Sequence, residues 1–366
     1  MERIAQTIGQ VVKASPAQVA YAQALDGLLA EYGVAVRPSL VDIDVERARG
    51  GRAKLRTFVM ESGAGRPVLF LNGTPATAAV WAPLLGSLSG IRAIVVDRPG
   101  HGLTGDFDYA GLDDVRAHAV GFLEGVLDAL GLQQVVIAGN SLGGLWGMWL
   151  AVDRPERVSG IVQLGLPPGL LTDRVPLVFG LLSIPWAAGL VHRLDPPSVA
   201  ATRRFFRKMG DPPLALSDSF AEVFTVGQRL PNVEGGTAHL IQQFVRFPGR
   251  LHPRMWLDAA VLAGVRQPTL FLAGADDFLG GLPAGRRMAD AIPGAQLREV
   301  GRGHLPWLQD ADGAARAIED FLQRRIGNPT EVASECHPSG SGCVPAACPP
   351  SRRLSAPPVG RGPLLR

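Results

Sequence analysis

Two rhythms of apolar positions run along the chain. Ser15-Pro16-Ala17-Gln18 has the signature of a helix start, with Ser at the N-cap, Pro at N1 and Gln at N3. Val19, Ala22, Leu25, Leu28, Leu29 and Tyr32 then recur at helical spacing until Gly33. This predicts a helical extension, residues 1–39, packed on the outside of the main body. From residue 40 the period changes. Val41–Glu46 and Leu55–Met60 alternate as antiparallel strands do. Short unbroken apolar runs follow at Val68–Leu71, Ala93–Val96, Val135–Ala138, Ile161–Leu164, Thr269–Ala273 and Leu297–Val300. Runs of that kind suit parallel strands buried on both faces. Helical stretches such as Asp113–Leu130 and Leu142–Val152 separate several of them. The pattern predicts an α/β architecture: a doubly wound, mostly parallel eight-stranded sheet flanked by helices, built from residues 40–167 and 268–326.

About a hundred residues separate the sixth and seventh of these strands, far more than a crossover needs. Residues 168–267 are rich in Pro and aromatics and read as a mostly helical cap over the C-terminal edge of the sheet. The longest uncharged apolar run, Val175–Val191, lies there and is broken by Pro176, Gly180, Pro185 and Gly189. It is shorter than the roughly 20 residues of a spanning helix and predicts a buried or cleft-lining hairpin, with no stable membrane insertion. The N-terminus has no signal-like apolar stretch, so the expected compartment is the cytoplasm. Residues 327–366 hold eight prolines, four Arg and two Glu without periodicity, and read as a disordered tail.

Composition removes whole classes. A formal charge of +3, with only three lysines among 36 basic residues, gives no basic surface for nucleic acid. The three cysteines, Cys336, Cys343 and Cys348, all lie in the tail beside His337, so neither a disulfide scaffold nor a standard metal site is indicated. No organic cofactor is called for.

The chemistry concentrates at Gly139-Asn140-Ser141-Leu142-Gly143, which directly follows an apolar strand and opens a helix. This is the setting of a nucleophile elbow. Small residues on either side of the serine let the turn close against the neighbouring strand and helix. The helix N-terminus and the Leu142 N–H then face any oxyanion formed at the serine. Such a serine needs a base and an orienting acid, in the order Ser, acid, His. Asp276 and Asp277 follow the run ending at Ala273, and His304 follows the last strand.

With Leu71-Asn72-Gly73-Thr74-Pro75, Asp97-Arg98-Pro99-Gly100-His101-Gly102, Gly274-Ala275-Asp276-Asp277 and Gly303-His304, these motifs resemble the α/β-hydrolase superfamily over about residues 40 to 326. The resemblance implies a capped serine esterase-like enzyme with Ser141, Asp277 and His304 as catalytic residues. The acid's place, three residues after the glycine, selects Asp277 over Asp276. It also implies an oxyanion hole from the backbone N–H groups of Thr74 and Leu142. Asn72 stands where family members usually have histidine, so its amide would have to replace that residue's hydrogen bonds. His101 is expected to shape the loop beside the pocket, and Arg203-Arg204 with Arg207-Lys208 to form a solvated helix face.

The implied reaction is hydrolysis of a carboxylic ester or related acyl compound through an acyl-enzyme, with an apolar small-molecule substrate. The serine disfavours members with aspartate at the elbow. It leaves open carbon–carbon bond hydrolases, lactonases and perhydrolases, and a non-catalytic ligand-binding member as a different class.

Overall fold

A computed structural model describes residues 3–11, 14–46, 51–109, 114–212 and 215–327 of the chain. The tail expected at 327–366 lies, apart from Gly327, outside the described residues. In chain order the strands are β1 (Val36–Glu46), β2 (Arg52–Gly63), β3 (Arg66–Leu71), β4 (Ile91–Val96), β5 (Val135–Asn140), β6 (Val158–Leu164), β7 (Val245–Arg246), β8 (Arg250–Leu251), β9 (Thr269–Ala273) and β10 (Gln296–Glu299). The helices outside the β6–β9 connection are α1 (Ile4–Val11), α2 (Pro16–Glu31), α3 (Ala82–Ser87), α4 (Val115–Ala129), α5 (Ser141–Asp153), α12 (Gly281–Asp290) and α13 (Ala311–Phe321). That connection carries α6 (Leu177–Leu182), α7 (Pro185–Leu194), α8 (Val199–Lys208), α9 (Asp218–Gln228), α10 (Pro231–Phe244), α11 (Ala259–Leu262) and the β7–β8 hairpin.

Eight strands form one sheet in the order β1-β2-β4-β3-β5-β6-β9-β10. β2 runs antiparallel to both neighbours, and the remaining pairs are parallel. Alternate residues of the central strands feed two cores. Val68, Phe70, Val136 and Ala138 face one side, and Leu69, Leu71 and Ile137 face the other. Helices cover both faces, which is why these strands read as unbroken apolar runs. The chain leaves β3 towards β4 on one side and returns to β5 on the other. The ends of β3 and β5 therefore flank the crevice where the strand order reverses, the usual place for a ligand in an open α/β sheet.

The N-terminal helix departs from the outer-extension reading. Its capping box forms as the sequence requires, Gln18 N–H donating to Ser15 Oγ and Ser15 N–H to Gln18 Oε1. Yet Tyr21, Ala22, Leu25, Leu28 and Leu29 are all buried in the main core, and Tyr21 Oη lies 2.7 Å from Thr77 Oγ1. α2 packs mainly against α9 and also touches α3. An amphipathic stripe announces that a face is buried but not against what.

The apolar run at 175–191 does form two short helices, α6 and α7, and Val178, Leu182 and Val191 line a cavity. It is not simply buried, however: Leu177, Leu181, Trp186, Leu190 and Leu194 are exposed. None of the described helices is long and apolar enough to cross a membrane. Because Leu25 is fully buried between α2 and the core, Leu25→Ala should lower unfolding free energy by about 2–5 kcal/mol in a urea titration. A loss within error would show that α2 is peripheral to the folded unit.

Candidate active site

Ser141 sits at the junction of β5 and α5 with φ of 52°, a left-handed backbone that side chains other than glycine rarely adopt. The flanking glycines explain how the turn closes. A Cβ on Gly143 would lie 2.2 Å from the Leu71 carbonyl oxygen, and one on Gly139 would lie 2.4 Å from Cα of Gly144. Gln163 on β6 backs the turn, its amide donating to the carbonyls of Gly139 and Gly165 at 3.1 and 3.2 Å.

The structure brings Asp277 and His304 together at the ends of β9 and β10. His304 Nδ1 lies 2.9 Å from Asp277 Oδ2, with both side chains closed to solvent. Asp277 also accepts the Leu166 N–H at 2.8 Å and the Leu279 N–H at 2.9 Å, so three donors hold its carboxylate. Asp276 points elsewhere, pairing with half-exposed Arg302. Asn140, one residue before Ser141, donates to the carbonyls of Leu164 and His304 and ties the two loops together. His304 Nε2, the nitrogen opposite Asp277, is buried with no hydrogen-bond partner among the described residues.

Ser141 and His304 line one narrow recess with Thr74, Phe206 and Met209. Ser141, Leu142 and Thr74 also line a larger cavity of about 500 Å³. Phe179, Phe205, Phe244 and Phe278 make its walls mostly apolar, but Arg204 and Lys208 lie on it too. The basic stretch of α8 is thus divided. Arg203 pairs with Asp218 on the surface, whereas Arg204, paired with Asp195, and Lys208 reach the cavity wall. A second cavity of about 750 Å³ shares Leu182, Val191, Ala201, Phe205 and Ile241 with the first.

The loop bearing Thr74 is held from below by Arg98, whose motif is visible in the sequence but whose role is not. Arg98 is fully buried and donates to the carbonyls of Asn72 and Gly73 at 3.1 and 3.0 Å and to Thr74 Oγ1 at 2.6 Å. Its guanidinium stands 5.2 Å from the Trp146 ring on α5. Burial lowers its pKa to about 10, which leaves it charged at neutral pH. Asn72 braces the same loop by donating to the carbonyls of Gly73 and Ala76, while its Oδ1 has no partner among the described residues. Asp97, beside Arg98, accepts N–H bonds from Ala78 and Leu103, and burial pushes its carboxyl up to about 7.

His101 is also fully buried, with Nδ1 3.0 Å from the Pro99 carbonyl oxygen, and lines neither cavity that contains Ser141. Burial and the neighbouring Arg98 push its pKa down to about 3, so it is neutral. Asp211, from the β6–β9 connection, is the residue that local sequence could not reveal. It is fully buried against the His304 loop, and burial raises its carboxyl to about 7. Gly210-Asp211-Pro212 carries no motif, and its partner Leu305 is 94 residues away.

The Alpha/beta hydrolase family matches residues 68–317, more than half of the chain. A 2-hydroxy-6-oxononadienedioate/2-hydroxy-6-oxononatrienedioate hydrolase of Cupriavidus pinatubonensis is 28% identical over 291 residues, covering 75% of this chain and 93% of the relative. A 2-hydroxy-6-oxo-2,4-heptadienoate hydrolase of Pseudomonas putida is 29% identical over 284 residues, covering 73% and 93%. Among solved structures, a carboxylesterase of Bacillus subtilis superposes with a TM-score of 0.64 at 18% identity, covering 84% of this chain and 99% of that one. At that identity the likeness speaks for the fold alone. The chain is a hydrolase that belongs to the alpha/beta hydrolase family.

Proposed function

We propose that the chain is a serine hydrolase that cleaves the carbon–carbon bond beside a ketone in a 2-hydroxy-6-oxo-dienoate or a close analogue. The observation that carries the reading is the meeting of Ser141 with Arg204 and Lys208 on one apolar cavity. The dienoates named for the relatives contain no ester or amide, so their hydrolysis must break a carbon–carbon bond next to the 6-oxo carbon. All of them carry a carboxylate. An apolar cavity whose wall carries Lys208 and the Arg204–Asp195 ion pair, positive on balance, suits such a molecule better than it suits a neutral ester.

Each group then has a task. His304 takes the Ser141 proton through Nε2 as Oγ adds to the 6-oxo carbon, and Asp277 fixes the imidazole through Nδ1. The N–H groups of Thr74 and Leu142 receive the oxyanion, worth about 3–4 kcal/mol for a single donor in comparable sites. In the 2,6-dioxo tautomer, collapse of the adduct breaks the C5–C6 bond. The electron pair passes into a dienolate conjugated with the 2-oxo group, whose oxygen takes the proton from His304. Water deprotonated by His304 then attacks the acyl–Ser141 ester and releases the second carboxylic acid.

With 2-hydroxy-6-oxo-2,4-heptadienoate, followed by loss of its dienol absorbance, kcat/KM should exceed that for p-nitrophenyl butyrate by about 100-fold or more. The reverse preference would identify an esterase. Ser141→Ala and His304→Ala should each lower kcat by at least about 10³-fold, and Asp277→Asn far more than Asp276→Asn. Equal losses at the two aspartates would contradict the assigned acid. Phe205 lines the recess and both cavities, so Phe205→Ala should join them and favour substrates with longer 6-acyl arms by about tenfold in kcat/KM. An unchanged arm-length profile would place the boundary elsewhere.

A further inference from the structure

The segment that leaves α8, Met209-Gly210-Asp211, crosses from the cap to the two loops that carry His304 and Asp277. The Met209 carbonyl accepts the His304 N–H at 3.1 Å. Both carboxylate oxygens of Asp211 lie 3.3 Å from the Leu305 N–H, and the His304 amide also faces that carboxylate. Contact is close enough that a Cβ on Gly303 would fall 2.2 Å from Asp211 Oδ1. Gly210, with φ of 88°, presses on the acid loop, where a Cβ would lie 2.1 Å from the Asp276 carbonyl oxygen. Asp211 N–H is itself tied to the Phe206 carbonyl at 3.0 Å, so the carboxylate is anchored to the helix whose Phe205 and Met209 line the Ser141 cavity.

We propose that Asp211 is a positioning residue supplied by the cap: its carboxylate holds the Gly303–Leu305 loop and sets the orientation of the His304 imidazole. The inference rests on the serine-hydrolase reading above and adds a second acid to it. The first, Asp277, binds the imidazole directly. The second acts through the backbone on either side of it and through its field. The titratable and charged groups facing Asp211 are His304 and Asp277, with the Asp276–Arg302 ion pair against the same segment. A buried carboxyl that loses its proton only near pH 7 presents a full negative charge to the imidazole in the alkaline range and a reduced one below it.

The test compares Asp211→Asn, which keeps an oxygen to accept the Leu305 N–H, with Asp211→Ala, which does not. The His304 ring resonances are followed by NMR across pH as a reporter of Asp211 in each full-length protein, and kcat and KM are measured beside them. The His304 ring resonances of the wild type should show an inflection near pH 7 that reports Asp211, and both variants should lack it, because only the wild type has a buried carboxyl that titrates there. Asp211→Ala should lose about tenfold or more in kcat with little change in KM, and Asp211→Asn should recover much of that loss. A pH dependence of the His304 resonances that is unchanged in Asp211→Asn overturns the proposal, as does an unchanged kcat in a folded Asp211→Ala. If the alanine variant does not fold, the titration of the asparagine variant decides alone. The titration needs no substrate, so a wild-type protein without hydrolase activity would sink the functional reading and still leave this one testable.

Discussion

One contact governs the arrangement of this sheet edge: the 2.9 Å hydrogen bond between His304 Nδ1 and Asp277 Oδ2, with neither side chain open to water. Taking a carboxylate out of solvent is costly unless its oxygens are met by donors. Here the Leu166 and Leu279 amides complete the set with the imidazole, so the acid is fully engaged before any substrate arrives. Satisfying that requirement fixes the loops after β6, β9 and β10 relative to one another. Asn140 then links the same histidine loop to the elbow. The imidazole has one oriented nitrogen and one bare one, and the strained Ser141 backbone sits beside it.

A second buried charge does comparable work under the opposite wall. Arg98 neutralises no single partner. It gathers the carbonyls of Asn72 and Gly73 and the Thr74 hydroxyl, and it rests against Trp146 of the helix that begins at Ser141. The turn after β3 is thereby referenced to the nucleophile's helix rather than to solvent. In the proposed reaction, that preorganisation would let the Thr74 and Leu142 N–H groups meet an oxyanion without rearranging. The β6–β9 connection completes the enclosure, with α8 contributing to the cavity wall and, through the segment after it, to the histidine loop.

Much of this was legible in the sequence because it is local. Unbroken apolar runs marked strands buried on both faces, and Gly139-Asn140-Ser141-Leu142-Gly143 announced a turn that only small flanking residues permit. The order of Ser141, Asp277 and His304 gave three residues that the fold places at neighbouring strand ends, and the structure directs Asp276 to Arg302 instead. What escaped depends on contacts across long chain separations. Nothing near Asp211 reveals that it meets Leu305, and nothing near Tyr21 reveals that its hydroxyl meets Thr77. The α6–α7 hairpin escaped for another reason: composition shows that a run is apolar, whereas the fold decides that Trp186 and Leu194 face outward.

The proposed chemistry requires Ser141 to be a nucleophile activated by its surroundings. Incubation of the folded protein with a fluorophosphonate, followed by mass mapping of the peptides, measures that directly. A single adduct, on Ser141, is the expected result. A folded protein that stays unlabelled, or that carries the adduct on another serine, would contradict it.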